Sequence, residues 1–312
     1  MKILFTGASS FTGHWFVREL AAAGHDVTVV LRKRPEEYPD ETRRNRVEET
    51  LKVAAPAFGA SFGDEAFLGL LRDGGFDVLC HHAADVTNYK SPDFDAVGAA
   101  ANNAHNLPAV LATFKQAGGR RVVLTGSVFE GGEGAGSDGL PDFSPYGLSK
   151  RLTAETFRYY CGRDGLSLGK FVIPNPFGAY EEPRFTAYLM KKWLAGEKAA
   201  CSSPAYVRDN IPVSLLAKAY AAFVGGLSDA PGFSRLGPVG YAESQGTFTL
   251  RLAQEMRSRL NLPCEVDLLK QTDFPEPRVR INVDVPDADA LGWDESAAWD
   301  DMAEYYQRSR RS

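Results

Sequence analysis

A glycine-framed turn directly behind the first apolar run constrains this chain more than any other feature. Ile3-Leu4-Phe5 reads as a short buried strand and residues 15–23 as a helix closed by Gly24. Thr6-Gly7-Ala8-Ser9-Ser10-Phe11-Thr12-Gly13 lies between them. A strand that turns through glycine into a helix opens a parallel α/β unit, and the first N–H groups of the helix then face whatever binds beyond the strand end. Gly7 permits the tight turn, and Gly13 lets the helix pack closely on the strand. Between them, where a third glycine would admit a phosphate to the backbone, stands Ser10.

The alternation continues. Residues 27–31 form a second strand that stops at the basic run Arg32-Lys33-Arg34, and 76–80, 121–124 and 169–173 are later strands. Residues 36–57 read as a charged surface loop and helix, and 102–116 as a helix ended by Gly118-Gly119. A loop rich in Gly, Asp and Pro over 131–145 leads into a helix that starts near Tyr146 and passes Tyr159. Short apolar runs alternating with helices predict an α/β fold, a Rossmann-type doubly wound parallel sheet. Past residue 178 the alternation weakens, with helices over 188–195 and 248–260. The expected division is a dinucleotide-binding domain over 1–175, with a returning segment near 205–235, and a smaller, mainly substrate-binding α/β part over 176–312.

The turn suits the diphosphate of a dinucleotide, held by Gly7, Ser9, Ser10, Phe11, Thr12 and Gly13, with a Ser9 or Ser10 hydroxyl donating to phosphate. An acid at the end of the second strand would bind a ribose 2′-OH, whereas arginine accommodates a 2′-phosphate. Here the strand ends in Arg32 and Lys33 with no acid, so NADP(H) is the expected cofactor and NAD(H) the alternative. The same cluster also reads as a solvated loop. Asp64, after a third strand, is expected to cap a turn beside the adenine.

Tyr146-Gly147-Leu148-Ser149-Lys150 supplies the chemistry. Residues four apart on a helix share a face, and a nearby ammonium favours a phenolate. Bringing a phenol from about 10 toward 7 takes roughly 4 kcal/mol of differential stabilisation. The preceding strand ends in Ser127, a hydroxyl placed to hold a carbonyl or alcohol while Tyr146 moves the proton. The bland readings are a turn hydroxyl and a half-buried aromatic.

Composition narrows the rest. A net charge of -5 argues against nucleic acid as the main partner. No run of about 18 apolar residues is present, so no membrane span is expected. The four cysteines lie far apart, and His81 and His82 would point to opposite faces of a strand, so no metal site is expected. No cleavable leader is read at the start, and the cytoplasm is the expected location.

Taken together, the motifs resemble the extended short-chain dehydrogenase/reductases of the NAD-dependent epimerase/dehydratase family, particularly those acting on nucleotide-linked sugars. The resemblance rests on Thr6-Gly7 to Gly13, His82-Ala83-Ala84, Asn102-Asn103, Thr125-Gly126-Ser127, Tyr146 with Lys150, Asn175-Pro176-Phe177-Gly178, Arg208-Asp209-Asn210-Ile211-Pro212-Val213 and Leu291-Gly292-Trp293. It implies Ser127, Tyr146 and Lys150 as the catalytic set, with Lys150 also on the nicotinamide ribose. It implies Ala83, Ala84 and Pro174 at the cofactor and Asn103 and Asn175 near the substrate. Arg208 would hold the nucleotide part of that substrate, and Arg280, with Arg278, its pyrophosphate. A homodimer is implied through the helices after Asn103 and Tyr146. Leu107, Val110, Leu111 and Phe114 could form that face or pack on the sheet.

Departures from the family pattern restrict the reaction. Val128-Phe129 stand where 4,6-dehydratases carry an acidic pair, with Glu130 one position too far along unless the loop bends. Phe129 and Tyr180 stand where double epimerases carry Cys and His. Hydride transfer at one carbon remains. The sequence reading puts first an NADP(H)-dependent reductase of a keto group at C4 of a nucleotide-linked sugar. The alternatives are an NAD-dependent 4-epimerase, a reductase of a non-sugar ketone or aldehyde, and a non-catalytic dinucleotide sensor.

Overall fold

A computed structural model describes residues 1–309 of the chain. The strands, in chain order, are β1 (Lys2–Thr6), β2 (Asp26–Leu31), β3 (Ala55–Phe58), β4 (Val78–His81), β5 (Arg121–Ser127), β6 (Ala135–Gly136), β7 (Ser167–Ile173), β8 (Asn175–Phe177), β9 (Ala199–Cys201), β10 (Val207–Pro212), β11 (Gly232–Leu236), β12 (Tyr241–Ser244), β13 (Val266–Leu268) and β14 (Val279–Ile281). The helices are α1 (Phe11–Ala22), α2 (Glu41–Leu51), α3 (Glu65–Gly74), α4 (Ala96–Asn103), α5 (Leu107–Gln116), α6 (Pro145–Asp164), α7 (Phe185–Leu194), α8 (Val213–Gly226), α9 (Gln245–Leu260) and α10 (Glu295–Ser309).

The chain divides into two units. The first comprises Met1–Glu133, Pro141–Ile173 and Ala217–Gly237, and the second Gly134–Leu140, Pro174–Leu216 and Pro238–Ser312. The segment returning to the first unit is therefore Ala217–Gly237. β10, expected in that segment, belongs to the second unit, as does the short excursion that carries β6.

Seven strands of the first unit pair in the order β3-β2-β1-β4-β5-β7-β11, every pair parallel. Ile3, Leu4 and Phe5 are fully buried, as are Val78, Leu79 and Cys80, the pattern of central strands covered on both faces. The order reverses between β1 and β4, and doubly wound sheets open their ligand crevice at such a switch. This is the doubly wound Rossmann-type sheet that the sequence predicts.

Two local readings change. The helix expected over 102–116 is two helices, α4 and α5. Asn106 adopts a left-handed backbone (φ 53°) between them, and Pro108 stands in the first turn of α5, where its missing N–H costs nothing. The segment read as loop and helix over 36–57 also holds the start of β3, which pairs with β2. Leu107, Val110, Leu111 and Phe114 are buried in the core of the first unit with Leu79, Val122 and Phe157. They are the stripe packed on the sheet and offer no face to a second copy.

In the second unit β12, β10, β14 and β6 form one ribbon, with β8 parallel to β10. α7, α9 and α10 share a core around Met190, Trp193, Phe248, Met256, Trp299 and Met302. Among the described residues no helix is long and apolar enough to cross a membrane.

Candidate active site

Beyond the C-terminal ends of β1 and β4 the glycine turn and the segment after β4 come together. Gly7 has φ +86°, and a Cβ there would stand 2.7 Å from the Ala83 nitrogen. A Cβ on Gly13 would lie 2.2 Å from the Gly7 carbonyl oxygen. Both positions thus demand glycine, and the bare turn before the N-terminus of α1 is a fitting cradle for a dinucleotide diphosphate. Ala83 N–H donates to Thr6 Oγ1 (3.1 Å), and Ala83 and Ala84 are half-buried.

Ser10, in the position of the missing glycine, is turned inward. Its hydroxyl donates to the Gly7 carbonyl (2.9 Å) and accepts the Gly13 N–H (3.1 Å), capping α1. The expectation that Ser10 donates to phosphate is corrected, because its one proton is spent inside the turn. His82 Nε2 stands 3.0 Å from Ser10 Oγ and 3.1 Å from Thr12 Oγ1, and its Nδ1 is 2.9 Å from Thr125 Oγ1. Burial, with a smaller push from the Lys150 charge, lowers His82 to about 3, so the ring is neutral. A neutral ring donating from Nε2 and accepting at Nδ1 satisfies all three hydroxyls. Phe11 is buried in the core, so only its backbone faces the cradle.

Ser9 meets a residue that pattern reading passed over. Arg43, in the first turn of α2, donates to Ser9 Oγ from Nη2 (3.0 Å) and Nε (3.3 Å), with its guanidinium over the Tyr38 ring at 5.1 Å. Its only signal in the sequence is Asp40, whose carboxylate caps α2 by accepting the Arg43 N–H. Arg32 and Lys33 are exposed just past the end of β2. Asp64 caps α3, accepting the N–H groups of Phe67 and Ser61 (2.8 Å each), so its carboxylate serves the backbone.

The residues expected to react sit on β5 and α6. Ser127 ends β5, buried, and its Oγ accepts the Phe129 N–H (3.2 Å). α6 begins at Pro145, with Ser144 capping it by accepting the Gly147 N–H. This places Tyr146 and Lys150 one turn apart near the helix start. Tyr89 and Phe94, from the loop after β4, pack on the Tyr146 ring at 5.1 and 6.3 Å. Lys150 is buried and donates to the Thr125 carbonyl (2.5 Å). Burial lowers its amine to about 8, Lys170 adding to the effect and Glu130 opposing it.

Glu130 is buried and committed: it accepts the Ser127 N–H (2.7 Å) and pairs with Lys170 of β7. A bend does bring it back toward Ser127, but as a brace for the backbone. Asn103 is equally occupied. Its side chain accepts the Asp85 N–H (2.7 Å) and donates to Thr153 (3.2 Å), while its carbonyl lies 2.9 Å from His81 Nε2. It ties the loop after β4 to α6.

In the second unit Arg208 and Arg280 are directly in register across the parallel pair β10–β14, both buried. Register neighbours present their side chains on one face of a sheet. Arg208 donates to the Pro277 carbonyl (3.0 Å) and Glu276 (2.9 Å), its guanidinium over the Tyr206 ring at 4.4 Å. Arg278 is exposed, with its guanidinium over Phe274. Asn175 Nδ2 donates to the Asp209 carbonyl (3.3 Å), and Pro174, the first residue of its segment of this unit, is buried. Among the described residues no cluster of His, Cys, Asp and Glu could hold a metal ion.

Comparison with known proteins assigns the arrangement. The model of the NAD dependent epimerase/dehydratase family matches residues 3–225. The fold is similar to that of the UDP-glucuronic acid 4-epimerase of Bacillus cereus, solved with UDP-glucuronic acid and NAD. That match has a TM-score of 0.74 at 17% identity, over 99% of this chain and 100% of that one. A UDP-glucose 4-epimerase from Stenotrophomonas maltophila, with NAD and formylated UDP-arabinopyranose, gives 0.76 at 20% identity over 100% and 99%. One from Thermotoga maritima with UDP-glucose gives 0.74 at 19% over 99% and 100%. No curated protein matches the sequence significantly.

Proposed function

The chain belongs to the NAD dependent epimerase/dehydratase family, and we propose that within it the protein is a nucleotide-sugar 4-epimerase, moving hydride at C4 of the sugar. The observation that carries this reading is the placing of Ser127, Tyr146 and Lys150 by β5 and α6 beside the strand ends where the glycine turn lies. The full-length similarity to 4-epimerases turns it from reduction toward epimerisation.

Gly7, Ser9, Phe11, Thr12 and Gly13 would hold the cofactor diphosphate, and Ala83, Ala84 and Pro174 are further cofactor residues in this reading. A nicotinamide held there would supply the acceptor and donor of the C4 hydride. Tyr146 accepts the C4 hydroxyl proton as the carbonyl forms and returns it on reduction, while Ser127 hydrogen-bonds the same oxygen. The Lys150 ammonium favours the phenolate of Tyr146. Arg208 and Arg280 supply two neighbouring cations for the diphosphate of the substrate. Asn175 contacts the sugar, and Asn103 acts by holding the loop that follows β4.

A second reading, the NADP(H)-dependent 4-ketoreductase, is favoured by one observation. Arg32 and Lys33 follow β2, which ends without an acid in its sequence, and Arg43 adds a guanidinium at the glycine turn. Cofactor handling separates the two. Purified protein that retains NAD, and interconverts UDP-sugar C4 epimers without added cofactor, supports the epimerase. Protein that arrives empty, prefers NADPH and turns over only 4-keto sugars overturns it in favour of the reductase. In either case Tyr146→Phe should lower kcat by about 10²- to 10⁴-fold with cofactor affinity unchanged, the range for loss of a positioned acid/base. Unaltered turnover would remove Tyr146 from the mechanism.

A further inference from the structure

A closed set of charges lies behind the reacting hydroxyl. Lys170, on β7 and in register with Leu124 of β5, is buried and donates to Glu130 and to Glu133 (2.8 Å). Glu133 also takes Arg235 of β11 (2.6 Å). Two carboxylates thus face two cations. Its inner end, Glu130, reaches the Ser127 N–H (2.7 Å). Three of the four, Glu130, Glu133 and Lys170, are buried, and burying charges costs more than an apolar core of the same volume would, so stability alone does not account for them.

We propose that Glu130 and Lys170 are positioning residues, fixing the backbone at Ser127 and governing the charge on Lys150 from within this network. The proposal rests on the reading of Ser127, Tyr146 and Lys150 as the reacting set. Lys150 donates to the Thr125 carbonyl, and Glu130 and Lys170 both line Gly126, the next residue of β5. Glu130 comes from the loop after β5 and Lys170 from β7. β4 contributes the rings of His81 and, just past its end, His82, both neutral because burial lowers each to about 3. Tyr146 lies on the same helix. Of these, only Glu130 and Lys170 carry charge near neutral pH, and they act on Lys150 with opposite sign. Burial pushes the Glu130 carboxyl up, yet the Ser127 N–H and Lys170 both donate to it, as suits a carboxylate. Lys170 is held above the usual lysine value by Glu130 and Glu133 against the opposing effect of burial.

The test is a titration of Lys150 by NMR on protein labelled with ¹³C at lysine Cε, which needs no substrate. Glu130→Gln keeps an acceptor for the Ser127 N–H but removes the negative charge. The Lys150 pKa should fall by about one unit, a ten-fold loss of proton affinity. Adding Lys170→Met to Glu130→Gln removes the opposing charge as well and should bring Lys150 back toward its original value. A purely structural role makes the double variant no better than the single one. Where turnover is measurable, the alkaline limb of kcat should follow the amine, moving down in the single variant and back in the double. Should Glu130→Gln fail to fold, Lys170→Met alone carries the test, and the Lys150 pKa should then rise, because the cation opposing its charge is gone. An unchanged Lys150 pKa, or a kcat limb that stays in place while the amine moves, overturns the proposal. Failure of every nucleotide-linked sugar as substrate would sink the proposed function and leave the titration of Lys150 to stand or fall by itself.

Discussion

On the β4 side of β5 the site is wired with neutral groups, and on the β7 side with charges. His82 joins Ser10, Thr12 and Thr125 through a single uncharged ring. Across the strand Lys170 joins Glu130 and Glu133, and Arg235 completes the set. Both networks reach the same short stretch, Thr125 to Ser127, and both bury polar atoms that must be satisfied. The neutral flank lies beside the cradle for a cofactor that brings its own phosphates, where a fixed anion would repel it. The charged flank acts on Lys150, whose proton affinity the proposed reaction uses. Charge is placed where it tunes a neighbour and withheld where a ligand carries its own.

The sharpest way to break this comparison is to delete the central group on each side. Lys170→Met leaves Glu130 buried without its cation, a loss of about 3–5 kcal/mol in denaturant unfolding, as expected for one partner of a buried pair. His82→Leu on the neutral flank removes contacts to three hydroxyls, some of which re-form with neighbours, and should cost about 1–3 kcal/mol. If the two losses are equal, the flanks do not differ in the way described.

Acid gives the gentlest test and an inverted order. His82, like His14 and His81, is held near 3 by burial, against 6.5 when unfolded. Between those values the unfolded chain binds protons that the native protein refuses, so stability falls as pH drops below about 6.5. Glu133 behaves as a depressed carboxyl. Burial alone would raise it, but Lys170 and Arg235 hold it below 4.5, so its contribution persists until pH falls below that value. The neutral flank therefore weakens first. The midpoint of thermal unfolding should decline from about pH 6.5 downward, and His82→Leu should show a shallower decline. An identical slope in the variant would mean that His82 is not one of the groups taking up protons.

What the sequence made legible is what local geometry dictates. Gly7 and Gly13 are legible as glycines because the turn itself sets a positive φ at Gly7 and the helix start brings Gly13 onto the Gly7 carbonyl, although the Ala83 backbone that also crowds Gly7 is distant in sequence. Tyr146 and Lys150 are likewise one helical turn apart. Pro108 and Asn106 were equally legible as a break between helices, and the long apolar periodicity over 102–116 masked them. The contacts that escaped reading are long in sequence. Arg43 meets Ser9, Lys170 meets Glu130, and Arg208 lies beside Arg280, each pair brought together only by strand order. Ser10 shows the complementary failure. Its residue type suits a phosphate donor, but its proton is claimed by a carbonyl that only the folded turn presents.

The last strand of the seven, β11, is separated from its neighbour β7 by everything in residues 174–231. A chain emerging from the ribosome at roughly 5–20 residues per second completes six parallel strands and must then wait several seconds before the seventh arrives. During that interval β7 presents a bare, apolar edge, the kind of template on which nascent chains adhere to one another. A version cut after β7 should therefore aggregate where the full chain does not.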